Sequence, residues 1–248
     1  MRGLSSLVLC SLIAGCTPKQ VDAVPTLSAG QPGVAAAPKR PKNVILIIGD
    51  GMGPQQIGLL ELYARRAPSA PYKGRATSFQ RLADKGVVGL SMHYPDRYLI
   101  TDSACSATQL ALGVPAPVEA LGVDGNGVPQ TTVLERAQAA GLSTGLVSDT
   151  RLTHATPAAF AAHVPQRSME NEVASQVLET GPDVMLSGGW RHFVAATEEG
   201  SKRTDERDLL QEARQQGYTV ARTAAEMDAA GDGKLLGLFA PSGMMGAI

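Results

Sequence analysis

The sequence predicts an α/β protein with a doubly wound, mostly parallel sheet flanked by helices. Two observations predict it. Residues 44–48 read Val-Ile-Leu-Ile-Ile, the unbroken apolar run expected of a strand covered on both faces of a sheet. Short apolar runs then recur at 87–90, 144–147, 184–186 and 235–239, with segments of helical spacing between them, which is the alternation of a βαβ architecture.

The elements follow in order. Pro54 sets the start of a helix over 55–66, and 79–85 reads as a shorter one. The strand at 87–90 precedes an Ala-rich helix at 103–112 and a further helix at 132–140. Strand 144–147, helix 168–179, strand 184–186, helix 207–216 and the last strand 235–239 complete the series. With that strand close to the last residue, an unpaired, aggregation-prone edge is expected there. No internal repeat or second linker interrupts the body, so one folded domain over 43–248 is expected, large enough for a core of its own.

Composition excludes several classes. There are 22 Lys+Arg against 23 Asp+Glu, a net charge of -1 and no basic run, so an electrostatic nucleic-acid binder is not indicated. The 27 Gly and 16 Pro follow no period, which excludes collagen-like sequence. Two of the three cysteines, Cys10 and Cys16, lie near the N-terminus. Cys105 is left alone in the body, without a disulfide partner or a cysteine zinc site.

Residues 1–15 read as an export signal: Arg2 gives a positive start, 4–13 an apolar centre too short to span a bilayer, and 12–16 a small-residue ending in Cys16. That ending resembles the bacterial lipobox, which implies lipid attachment at Cys16; an ordinary secretory signal with incidental cysteines is the alternative. Thr17 rather than Asp follows it, favouring the outer membrane facing the periplasm. Residues 16–42, rich in Pro and Ala and without apolar periodicity, form an expected flexible tether.

Three segments carry chemistry at predicted strand ends, where open parallel sheets place their sites. In Gly49-Asp50-Gly51-Met52-Gly53 the glycines permit a sharp turn, and Asp50 is either a metal ligand or a cap for the next helix. The segment lacks the Gly-Lys-Ser/Thr ending of a phosphate-cradling loop. Thr101-Asp102-Ser103-Ala104-Cys105 opens a small-residue helix, whose positive end favours an alkoxide at Ser103 and an incoming anion; an ordinary N-cap has the same composition. Cys105 has no nearby histidine to activate it and reads as small apolar packing. His154 and Thr156, two apart on what reads as an extended segment, can share a cation, and Arg167 can clamp phosphate oxygens with two prongs. His93 and His192 read as structural.

Together, the segments 42–53, 101–104 and 154–158, with Leu186-Ser187-Gly188-Gly189, 209–212 and 236–241, strongly resemble the alkaline phosphatase family in order and spacing. The resemblance covers nearly all of 42–248. It implies a hydrolase of phosphate monoesters that uses two Zn2+ and one Mg2+, acts through a phosphoserine and admits a homodimer. It implies Asp50 bridging magnesium and one zinc, Ser103 as nucleophile and ligand of that zinc, and His154 and Thr156 at the magnesium site. Arg167 would hold two phosphoryl oxygens, with Asp102 orienting it. Some family members carry aspartate where His154 stands.

One departure follows from the same resemblance. The family's remaining zinc ligands come from later in a longer chain, whereas only His163 and His192 lie beyond His154 here, neither in a matching motif. An N-terminal portion of the fold with impaired turnover is therefore expected. Two other readings stay open: a phosphodiesterase or sulfatase-like hydrolase of the same superfamily, and a non-catalytic lipid-tethered protein that holds phosphate or metal.

Overall fold

The computed structural model describes residues 41–244. The signal, Cys16 and nearly all of the tether lie outside the described residues. The chain divides into two units after Ile47. In the first, residues 41–47 form no helix or strand and are exposed. The second, from Ile48 onward, holds every described element.

Its centre is a four-stranded sheet of β1 (Gly145–Arg151), β2 (Val184–Gly188), β3 (Tyr218–Ala221) and β4 (Lys234–Leu238), in the order β1-β2-β4-β3. Every pairing is parallel. The register sets Leu146 beside Met185, Met185 beside Leu236 and Leu236 beside Val220. This row crosses the sheet, and Met185 and Leu236 within it are wholly buried. Around the sheet pack α1 (Pro54–Arg66), α2 (Ser78–Ala83), α3 (Ser103–Leu112), α4 (Val133–Ala139), α5 (Ala155–Ala158), α6 (Glu170–Thr180), α7 (Leu209–Gln215) and α8 (Ala224–Asp228). The core gathers Leu121, Leu152, Val173, Val177, Leu178, Phe193, Leu209 and Leu238 against the sheet row. Burying each of the larger side chains stabilises the fold by roughly 1.5–3 kcal/mol.

Helix α3 shows how composition becomes position. Ala104, Cys105, Ala107, Thr108 and Ala111 are buried, so small residues line its inner face and let its backbone approach its neighbours. Thr108 Oγ1 donates to Ala120 O at 3.1 Å, and Cys105 Sγ lies 3.1 Å from Ala116 O. These bonds bind the following loop to the helix. Cys105 is thus a buried packing residue.

Four expectations need correction. Residues 44–48 form no strand: Val44, Ile45 and Ile47 are more than four-fifths exposed, and no ladder pairs with them among the described residues. Residues 87–90 are likewise coil, with Val87 fully exposed. Apolar runs report a tendency to be buried, but a strand exists only where a neighbour supplies its ladder. The last strand is not an edge, because β4 lies between β2 and β3, leaving β1 and β3 outermost. The partner on its far side, β3, was hidden in Tyr218-Thr219-Val220-Ala221, too short to stand out from loop sequence. The segment after Arg151 is not extended through Thr156: His154 has extended dihedrals but caps α5, within which Thr156 is helical.

Candidate active site

The site is built on the N-terminus of α3. Asp102 is its N-cap, accepting from Ala104 N at 2.9 Å with Oδ2 and from Cys105 N at 3.1 Å with Oδ1. Capping and chemistry are thus divided between neighbours, and Ser103, at the first helical position, keeps its hydroxyl free of the cap. Glu119 N donates to Asp102 Oδ1 as well, at 3.1 Å. Burial pushes the Asp102 carboxyl up, but the backbone N–H groups of Glu119, Cys105 and Ala104, with Arg167, hold it below the usual aspartate value.

Arg167 reaches Ser103 because its own segment is strapped to the loop after α3. Leu121 and Val164 exchange backbone hydrogen bonds at 2.9 and 3.0 Å. Gly122 makes this approach feasible: its φ is +61°, and a Cβ there would lie 2.2 Å from Ala162 O. Arg167 N then donates to Glu119 O at 2.7 Å. Glu119 itself has φ +64°, a left-handed conformation that non-glycine residues rarely adopt. Both of its backbone groups serve the site, one bonding Asp102 and one Arg167.

From that anchorage the guanidinium spans three partners. Nη1 donates to Ser103 Oγ at 2.8 Å and to Asp102 Oδ2 at 3.2 Å, and Nη2 lies 3.1 Å from His154 Nε2. An arginine only donates, so His154 Nε2 accepts and its neutral ring carries the proton on Nδ1. That Nδ1 is buried with no hydrogen-bond partner. Burial pushes the His154 imidazole below its usual value, and the charges of Arg167 and Arg151 add to the effect against those of Asp50 and Glu170. The structure therefore brings Asp102, Ser103, His154 and Arg167 into one hydrogen-bonded group.

Asp50 and Thr156 stand apart from this group. Asp50 lies exposed in the turn before α1, where Met52 N bonds Gly49 O at 3.2 Å. It makes no hydrogen bond to the others, and its charge is felt at His154 through space. Thr156 is half-buried on α5. The Asp50 carboxylate and the Thr156 hydroxyl are oxygen donors of the kind a hard cation such as magnesium takes, whereas the orphaned His154 Nδ1 carries the ring proton in this tautomer and offers no lone pair. The imidazole can offer a cation a lone pair only by giving up its contact with Arg167, because moving the proton onto Nε2 would set two donors face to face. Among the described residues no group of three His, Cys, Asp or Glu side chains is gathered to hold a metal, so a closed zinc site is not formed by them.

His192, read as structural, is buried and satisfied by Asn171 Oδ1 at 2.9 Å. His163 bonds Gly122 O at 2.7 Å and Glu135 Oε1 at 3.0 Å, also away from the site. Sequence reasoning missed Glu119, whose backbone acts rather than its side chain, and assigned no role to Arg151 or Glu170.

Comparisons with known proteins point to one family. A family profile described as alkaline phosphatase matches residues 41–248. Alkaline phosphatase 4 of Bacillus subtilis is 36% identical over 215 residues, spanning 84% of this chain and 44% of the relative. The crystal structure of Thermus thermophilus alkaline phosphatase superposes with a TM-score of 0.70 at 32% identity, covering 79% of this chain and 39% of that one. A His-to-Asp mutant of alkaline phosphatase from the Antarctic bacterium TAB5, with Mg bound in its M3 site, superposes with a TM-score of 0.64 at 26% identity, covering 75% and 51%. The chain spans less than half the length of the curated relatives it matches. With a profile match over most of its length, on a parallel sheet that presents this serine–arginine group, the chain belongs to the alkaline phosphatase family.

Proposed function

We propose that the protein hydrolyses phosphate monoesters through a phosphoserine at Ser103. The observation that carries this reading is the 2.8 Å contact between Arg167 Nη1 and Ser103 Oγ at the start of α3. A guanidinium and a helix N-terminus both stabilise negative charge at that oxygen and at a phosphoryl group beside it. In the first step Ser103 Oγ attacks phosphorus, the bond from phosphorus to the ester oxygen breaks, and the serine proton leaves with the departing alcohol while Arg167 holds the equatorial oxygens. In the second, water attacks the phosphoserine in line, the bond from phosphorus to Oγ breaks, and a water proton returns to Ser103 Oγ. Phosphoryl transfer depends chiefly on positioning and on placed positive charge, which suits this arrangement. Asp102 keeps Arg167 directed at the serine.

Asp50, His154 and Thr156 would hold magnesium, whose added charge lowers the barrier to transfer when it is bound. Among the described residues Asp50 and Ser103 offer only two ligands toward a zinc, which favours a second reading for these residues, binding of phosphate or metal without turnover. Export and lipid attachment at Cys16 belong to the same proposal and rest on residues 2–16 of the sequence.

The test is an assay of an aryl phosphate monoester at alkaline pH with added zinc and magnesium, beside the matching phosphodiester and sulfate ester. The expected result is phosphate release from the monoester that Ser103→Ala abolishes. Faster cleavage of the diester or sulfate would overturn the monoester assignment, and phosphate binding with no release of any product would establish the binding reading.

A further inference from the structure

We infer that Glu170 is a positioning residue, which sets the separation of His154 and Arg167 and thereby the aim of the phosphate clamp. This rests on the clamp reading above. Glu170 is the first residue of α6, and its side chain is 18% exposed. It accepts from Arg151 Nε at 2.7 Å and from Arg151 Nη2 at 3.1 Å, a two-pronged ion pair. Its Oε2 also accepts from Thr153 Oγ1 at 2.6 Å, and Thr153 is wholly buried. The ring of His192 closes another side, with Nε2 3.2 Å from Oε2.

The connectivity gives these bonds their meaning. Arg151 ends β1, Thr153 immediately precedes His154, and Arg167 lies three residues before Glu170. One carboxylate therefore cross-links the strand end that presents His154 to the segment that presents Arg167. The two side chains then meet at 3.1 Å. Neighbouring packing holds the cross-link in one geometry. Gly189, at φ +95°, lies so close that a Cβ would sit 2.8 Å from Arg151 Cβ. The turn that follows carries His192, with Nδ1 2.9 Å from Asn171 Oδ1. Arg203 Nη1 donates to the backbone oxygens of both His192 and Asn171, at 3.1 and 3.2 Å. A surface carboxylate that merely favoured the start of α6 would need none of these partners.

The test is a double-mutant cycle on the affinity for inorganic phosphate, measured by calorimetry in magnesium buffer on the full chain. Glu170→Gln keeps the shape but weakens the charge-assisted bonds, and should reduce phosphate affinity roughly tenfold in the wild-type background. In the Arg167→Ala background the same change should have no further effect, because the residue it positions is gone. Thr153→Val removes one donor and leaves the ion pair, so it keeps the test available should Glu170→Gln not fold. It should give a smaller loss, again only when Arg167 is present. Equal losses in both backgrounds, or no loss in either, would overturn the inference while leaving the clamp intact. Unchanged affinity in Arg167→Ala alone would remove the clamp itself, and this inference with it.

Discussion

Residues 48–100 and residues 102–244 of the same unit are built to different standards. In the later region the apolar residues close a core, with Leu121, Leu152, Val173, Phe193 and Leu236 wholly or almost wholly buried. In the earlier one Leu59, Leu62, Leu82, Val88, Leu90 and Ile100 are more than half exposed, and its buried apolar residues are small ones such as Ala64 and Ala70. The site divides along the same line. Asp102, Ser103, His154 and Arg167 stand in the packed region, where capping bonds and the Leu121–Val164 strap fix them. Asp50 stands alone in the loosely packed region. The serine–arginine group proposed as an anion clamp is thus preorganised by the fold around it, whereas Asp50, the proposed metal ligand, is not.

The largest effect that could break this comparison concerns stability. Phe193→Ala empties a fully buried position and should cost about 3–5 kcal/mol, while Leu90→Ala, at 89% exposure, should stay within about 0.5 kcal/mol. Urea unfolding of the two variants measures both, and comparable losses would show that the two regions are equally packed.

A smaller effect sharpens it. Asp102→Ala removes the cap of α3 and should cost about 1–2 kcal/mol near neutral pH. Because the folded carboxyl lies below its usual value, this contribution is present above about pH 4 and is lost as pH falls through the lowered folded value. The stability gap between wild type and Asp102→Ala should accordingly narrow in acid. A gap that widens on acidification would mean that the carboxylate is not held by these bonds.

Much of the later region could be read in the sequence, and the reasons are local. A cap residue ahead of an Ala-rich run fixed the start of α3 at Ser103, and strands β1, β2 and β4 stood out as short apolar runs between helical segments. The pairing of Arg167 with Asp102 followed from the family resemblance. Other features depend on what lies across space. Residues 44–48 and 87–90 have strand composition without a ladder, and β4 is interior because of a four-residue neighbour. Glu119 acts through its backbone, which composition does not report. Glu170 looked like any carboxylate at a helix start until Arg151 and Thr153 were seen to converge on it.

The most direct measurement of the central claim is where phosphate becomes covalently attached. The full chain is incubated with labelled inorganic phosphate, zinc and magnesium, quenched at acid pH, digested and mapped by mass spectrometry. Label is expected on Ser103, absent from Ser103→Ala and retained by Cys105→Ala. Label on another residue, or undiminished labelling of Ser103→Ala, would contradict the central claim.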